Sequence, residues 1–313
     1  MAVGLKTAVS SVALSLAALG SAQAEVLDLS SLMGGANVFS FGNFSAPSAD
    51  VEGAIVAAGN VSLSSYTVNL KNKDAYGHYA LVAGGNLSYK GGDILNGDTY
   101  VGGKSSISNA TTATSVQSGK SPVNFAKTEA KLNQASRQLD KLDNTGSAVE
   151  KWGGVYITGS NKAVEVFDLN ASALKNSTYF NLSGISKGAT LIVNISGSSA
   201  LFQGGYQAFD GYNVLFNFAD ATSLNINTGA NLSILAPKAS VSGGQGVING
   251  SVVVDSWASQ VQINASNYFK PTNLSGYNTS PVPEPETYAM LLAGLGVIGF
   301  TARHRRKATA AAR

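Results

Sequence analysis

The chain has 313 residues; 12% are charged, 44% are hydrophobic, 35 are Gly, two are His and none is Cys. Without Cys there is no disulfide framework, thiolate nucleophile, zinc finger or Fe–S cluster, and two His do not build an imidazole-rich metal centre. The formal charge of +3 sits at the ends, because residues 25–280 hold 15 Lys and Arg against 16 Asp and Glu, which leaves the body without the basic patch that nucleic acid requires.

Residues 1–24 read as a signal peptide for secretion. Lys6 supplies the positive start, Ala8 to Leu19 run apolar, and Ala22-Gln23-Ala24 is a small-x-small cleavage site that leaves Glu25 as the mature N-terminus. Residues 25–280 contain no Pro-rich linker and read as one domain.

Most of this body is short apolar alternation broken by Gly, Asn and Ser, an all-β pattern. The strands expected in chain order are Gly53–Ala57, Val61–Leu63, Tyr79–Ala83, Thr99–Val101, Val155–Thr158, Ala163–Leu169, Thr190–Ile195, Asn213–Phe218, Leu224–Ile226, Leu232–Leu235 and Gly250–Val254. Such a ladder fits a sandwich, a barrel or a β-solenoid. A weak repeat favours the solenoid. Val56-Ala57-Ala58-Gly59-Asn60 recurs as Val82-Ala83-Gly84-Gly85-Asn86 and loosely as Tyr100-Val101-Gly102-Gly103-Lys104, at offsets of 26 and 18 residues. Offsets near 20 match one solenoid coil. Gly permits a positive-φ corner there, and Asn tolerates one.

One segment changes period. Ser121-Pro122 reads as an N-cap and first helical residue. Phe125, Thr128, Leu132, Ala135, Leu139 and Leu142 then form a single helical stripe, and Gly146 can end it. The pattern predicts one long helix over about residues 122–145, about 36 Å long, packed along the flank of the β structure. With strands about 4.8 Å apart it would cover roughly seven coils.

The chemistry-bearing residues are sparse. Asp50 and Glu52 point to one side of an extended segment, as glycoside hydrolysis requires; the plainer reading is a coil corner with local hydrogen bonds. His78 is the one imidazole of the body, and a lone His is more often a surface or hydrogen-bonded residue than a catalytic one. Asp93, Asn96 and Asp98 offer oxygen ligands for calcium without the closing Glu of an EF-hand. Thr111, Thr112 and Thr114 cluster without recurring at coil spacing. Tyr66, Tyr76, Tyr79, Tyr89, Tyr206 and Tyr212 could stack on sugars or cap strands. Gly243-Gly244-Gln245-Gly246 lacks the Lys-Ser/Thr of a phosphate loop. The Asn-x-Ser/Thr triplets at Asn60, Asn86 and Asn231 follow from composition. No catalytic, cofactor-binding or metal-ligating set emerges.

The tail is ordered like an address. Val282-Pro283-Glu284-Pro285 precedes an uncharged stretch from Thr287 to Ala302, followed by Arg303, His304, Arg305, Arg306 and Lys307. A hydrophobic helix of that length spans about 24 Å, against about 30 Å of hydrocarbon. The basic residues would snorkel and stay cytoplasmic, leaving the body outside. A plain membrane anchor is the simpler reading. The order of these zones over 281–313 resembles the PEP-CTERM sorting signal of Gram-negative bacteria. That resemblance implies recognition by an exosortase at the sorting motif, transient anchoring in the inner membrane, then removal of the tail.

The body carries a second resemblance. Phe41-Gly42-Asn43-Phe44, Ser48-Ala49-Asp50-Val51-Glu52-Gly53 and Ala57-Ala58-Gly59-Asn60-Val61 resemble the start of choice-of-anchor A domains. Ile234-Leu235-Ala236-Pro237-Lys238-Ala239 and Ile248-Asn249-Gly250-Ser251-Val252 resemble their closing coils. The likeness implies a right-handed, ice-binding-like β-helix with a helix alongside. It also implies an adhesin-like, non-enzymatic protein of the cell surface or exopolysaccharide matrix, needing no cofactor. Its partners would be exopolysaccharide, a surface partner or further copies of itself, and not nucleic acid. Ice binding and polysaccharide degradation on a β-helix are the alternative expectations.

Overall fold

Short strands stack in parallel rather than running side by side in hairpins. The computed structural model describes residues 25–278. Within them the strands line up in three stacks, and successive turns of chain add layers to them. In the first stack Val38–Ser40 pairs with Ile55–Ala57, which pairs with Tyr79–Ala83, which pairs with Asp98–Val101. The second continues from Phe44–Ala46 through Val61–Ser64 and Leu87–Ile94 to Ser105–Thr112. The third joins Ala49–Val51 to Tyr66–Val68.

The order of layers is not the order of sequence. Val38–Ser40 pairs on its other side with Val252–Ala258, more than 200 residues later. That strand pairs with Ser233–Ser242, and the first stack continues through Asn213–Asn217 and Thr190–Ser196 to Val164–Asn170. The chain therefore builds from the middle of the stack to one end. It then crosses back and refills the stack from the other end until Val252 meets Val38. An antiparallel pair, Glu25–Leu27 with Thr272–Leu274, ties the two ends of this body together.

The three stacks differ in burial, and their sequences differ accordingly. First-stack strands such as Thr190–Ser196 and Asn213–Asn217 are buried almost throughout, because both of their faces are covered. A strand buried on two faces reads as a continuous apolar run. Val38, Ile55, Leu81, Val193, Ile234 and Val252 point inward, while Phe39, Val56, Val82, Leu235 and Val253 point out under a helix. Second-stack strands alternate buried and exposed, as in Val61–Ser64, because one face meets water.

The helix is shorter than its sequence stripe suggests, and the expected span of 122–145 is corrected. It runs Phe125–Leu139, 15 residues, or about 22 Å. Asn124, not Ser121, is the N-cap, accepting from the Lys127 amide at 3.1 Å. Ser121 instead closes a local turn, its hydroxyl accepting from the Val123 amide at 3.1 Å. At the other end the chain tightens to i−3 hydrogen bonds at Lys141 and Leu142, and Asn144 leaves the axis to donate to Asp168 at 2.8 Å. The stripe itself is right where it matters: Leu132, Ala135, Leu139 and Leu142 are buried. Phe125 lies on Phe39, ring centroids 6.3 Å apart.

A second buried residue type holds this helix. Asn217 Nδ2 donates to the Ser136 carbonyl at 3.0 Å and to Asn194 Oδ1 at 2.9 Å, while the Ser136 hydroxyl donates to Asn217 Oδ1 at 2.6 Å. Asn194 in turn donates to the Leu139 carbonyl at 2.8 Å. The helix C-terminus is therefore docked by buried amides, which give a second hydrogen bond to carbonyls that the Asp140 and Leu142 amides already engage.

Glu165 is fully buried at the end of the first stack. Burial pushes its carboxyl up, but donors outweigh this: the Thr145 hydroxyl, the Lys162 and Ser160 amides and the Ser160 hydroxyl hold the pKa below its ordinary value of 4.5. A depressed carboxylate stabilises the fold above its unfolded pKa and loses that contribution as pH falls through the folded one. Stability is expected to drop below about pH 4.5, and Glu165→Gln should flatten that slope in urea titrations across pH 3–6. An unchanged slope would show that other carboxylates set it.

Candidate functional surface

Alternation in the second stack turns every second side chain toward water, and the register aligns these residues from layer to layer. Ser45, Ser62, Ser88 and Ser106 are consecutive Cα partners. The row continues on the other side through Ala258 to Ser242. A second row, Ser256, Ser240, Ser223 and Ser199, runs two residues earlier along the strands. The Ser256 hydroxyl donates to Ser240 Oγ at 2.8 Å. Layers lie about 4.8 Å apart and the rows about 7 Å apart, so each of eight layers, about 34 Å in all, carries at least one serine of this hydroxyl lattice, and the two rows overlap where Ser240 and Ser242 share a layer.

Amide ladders tie the layers together beside the lattice. At the corner between the first two stacks, Asn43 Oδ1 accepts from the Asn60 amide, Asn60 Oδ1 from the Asn86 amide, and Asn86 Oδ1 from the Lys104 amide, each at 2.8 Å. Gly precedes each rung. A Cβ on Gly85 would lie 2.5 Å from Asn60 Oδ1 and 2.9 Å from the Gly59 carbonyl carbon, and Gly59 and Gly103 are equally closed. None of these three has positive φ. The expectation of a positive-φ corner is therefore corrected: Gly is required here by close approach of layers. A second ladder runs along the third stack, Asn264 to Asn249 at 2.8 Å and Asn249 to Asn231 at 2.6 Å. The Asn-x-Ser triplets at Asn60, Asn86 and Asn231 are thus rungs, each followed two residues on by a serine.

The sequence-level candidates disperse. Glu52 accepts from the Ala265 amide at 3.1 Å and faces Lys71 at 3.9 Å. Burial, then the Glu52 charge, raises the Asp50 pKa. His78 is exposed, 3.5 Å from Asp98. Asp98 also accepts from Gln117 at 2.6 Å, Asp93 from Thr111 at 2.5 Å, and Asn96 donates to the Asn69 carbonyl at 2.7 Å. These oxygens serve separate partners. Among the described residues no three His, Cys, Asp or Glu side chains group to hold a metal. Thr111 and Thr112 share the outermost layer, aligned with Asp93 and Ile94. Gly244 is a left-handed corner, φ +81, whose Cβ would meet the Ile226 carbonyl at 2.2 Å.

Three of the six tyrosines that could stack on sugars or cap strands do neither, which corrects that expectation for them. Tyr66, Tyr89 and Tyr206 are core residues. Tyr89 donates to the Tyr66 carbonyl at 2.6 Å, and Tyr206 sits among Phe180, Phe202, Phe209 and Phe216. Tyr76 and Tyr79 are half-buried, bonded to Thr128 and Gln117.

Sequence reasoning missed the serine rows. The signal was present, since Ser62, Ser88 and Ser106 share the 26- and 18-residue offsets of the repeat. Their polarity hides them, because strand periodicity shows in apolar residues. Glu25 opens the first described strand. Ala22, Ala24, the 282–285 motif, the 287–302 apolar stretch and the basic cluster from Arg303 to Lys307 lie outside the described residues. Among those described, no helix is long and apolar enough to cross a membrane.

Comparison with known families gives two matches. A family described as an ice-binding-like adhesive domain matches residues 30–265, and the PEP-CTERM protein-sorting motif matches residues 281–307. No curated protein and no solved structure matches.

Proposed function

Because this chain belongs to the ice-binding-like adhesive domain family and ends in a PEP-CTERM sorting motif, we propose that it is a non-enzymatic matrix adhesin which an exosortase releases to the cell surface. An exported, adhesin-like surface protein of Gram-negative type follows from the two matches themselves. Its parallel stack would be a right-handed β-solenoid, the hand that crossovers between parallel strands adopt. The single observation that carries the binding role is the serine lattice. Exposed hydroxyls at fixed spacing exchange hydrogen bonds with the hydroxyls of exopolysaccharide. Many weak contacts on a stiff surface add by avidity.

Ser62→Arg/Ser88→Arg places two bulky cations on exposed lattice positions without touching the core. Cells carrying this variant are expected to lose matrix retention about tenfold, with the melting temperature of the protein unchanged. Full retention would remove the lattice from the adhesive role.

Processing has its own readout. Mass spectrometry of the exported protein should find Glu25 first and nothing C-terminal to the 283–285 segment. A secreted form still carrying Arg303–Lys307 would contradict sorting by cleavage. A second reading, ice binding, draws on the same regular spacing. It predicts thermal hysteresis at micromolar protein, whereas the polysaccharide reading predicts none.

A further inference from the structure

Outside the stacks, Ser147–Lys151, Gly154–Thr158 and Tyr179–Ser183 form a separate three-stranded sheet. One face of it, with Val155, Ile157 and Phe180, is buried in the core. The other carries Val149 opposite Tyr156, and Lys151 in the row of Gly154 and Tyr179. A two-residue turn, Trp152-Gly153, links the first two strands, and both residues are left-handed at φ 51 and 75.

Such a turn is made for Asn-Gly or Gly-Gly. A bulky side chain in the left-handed region is strained, and strain retained at a surface points to function. Trp152 is also 79% exposed, so packing does not repay that strain.

The neighbours of Trp152 form a platform. Its ring meets Tyr156 edge-on at 5.6 Å, and Tyr156 meets Tyr179 edge-on at 6.0 Å with their hydroxyls 2.7 Å apart. Tyr179 can lie across its partner strand only because residue 154 is Gly: a Cβ there would fall 2.5 Å from the ring. The Lys151 ammonium stands 4.8 Å from the indole centroid and 4.4 Å from that of Tyr156. Among the described residues it faces no carboxylate within ion-pair distance.

Resting on the adhesive reading above, we propose that this face is a binding site for an acidic sugar residue of a polysaccharide. The C–H face of the pyranose stacks on the open side of Trp152, its carboxylate meets Lys151, and its hydroxyls reach the paired Tyr156 and Tyr179 oxygens. A protein partner is disfavoured by size. Three rings and a cation are far less than the 20–30 residues a stable protein interface engages on each side.

The chain has two Trp, and Trp257 is 1% exposed, so fluorescence change on binding reports Trp152. Titration of the whole chain with sodium polygalacturonate should quench the exposed emission, and neutral dextran should do so far less. Trp152→Asn, whose binding is read by isothermal titration calorimetry because it lacks the reporting indole, should weaken polygalacturonate binding at least about tenfold while raising Tm by a few degrees, because Asn relieves the left-handed strain. A purely structural Trp152 would give the opposite change in Tm. Lys151→Met should abolish the preference for the acidic polymer and its salt dependence. Parent-like binding by Trp152→Asn would overturn this site while leaving the serine lattice, tested by Ser62→Arg/Ser88→Arg, as the adhesive surface. Equal response to dextran and polygalacturonate would overturn the acidic class.

Discussion

Gly85→Ala is expected to destabilise the protein by about 3 kcal/mol or more, one of the largest effects of any single added methyl group. The new Cβ would sit 2.5 Å from Asn60 Oδ1, 2.9 Å from the Gly59 carbonyl carbon and 3.0 Å from the Asn60 amide nitrogen. Two of those atoms are backbone, held by hydrogen bonds to the layers on either side. The Asn60 side chain could swing away only by abandoning the Asn86 amide. Gly77→Ala is the control. Gly77 has φ +93 and no atom within 4 Å of its Cβ position, so it should cost about 1 kcal/mol from backbone strain alone. Equal costs at the two positions would mean that the layers are not closely stacked at the corner.

Asn217→Ala should cost about 3 kcal/mol, a fall in Tm of roughly 6–12 °C for a body of this size. The removed amide serves Ser136 twice and Asn194 once, and Asn217, Asn194 and Ser136 are all buried. Its loss strands the Ser136 hydroxyl and the Asn194 amide oxygen away from water, which costs more than the bonds are worth, while the Ser136 carbonyl keeps the Asp140 amide. A Ser136→Ala/Asn217→Ala double variant should fall short of the sum of the singles, since one hydroxyl is no longer stranded. Thermal melts of the four proteins test this. Strict additivity would show that the helix is held by Leu132, Ala135 and Leu139 alone.

The sequence speaks clearly where a strand is apolar on its own and falls silent where neighbours make it. Tyr79–Ala83 and Thr190–Ser196 are legible because covering by the helix makes them continuous apolar runs. Ser105–Thr112 is not, because it is the outermost layer of its stack and has little to bury. The closure of Val252 on Val38 has no local signature, since it depends on where the chain returns after the helix. The helix stripe was legible, but its ends were set by Asn124 and by the buried Asn194 and Asn217, which are tertiary partners. The repeat showed its apolar rungs and concealed the serine rows at the same spacing. Trp152 was invisible for another reason: nothing in its neighbours' identities tells that the turn is left-handed.

The serine surface runs across all its layers only if the N-terminal layers stack on the C-terminal ones. Ser45 and Ala258 are aligned partners across the junction, solvent-facing and more than 200 residues apart in sequence. Neighbouring parallel strands put Cα atoms about 4.8 Å apart, within disulfide reach. The natural chain has no Cys, so Ser45→Cys/Ala258→Cys introduces the only thiols. Mild oxidation followed by peptide mapping should recover an intramolecular link between residues 45 and 258, as readily as in a Ser62→Cys/Ser88→Cys control. Free thiols at 45 and 258, with the control fully linked, would contradict the closure and divide the serine lattice in two.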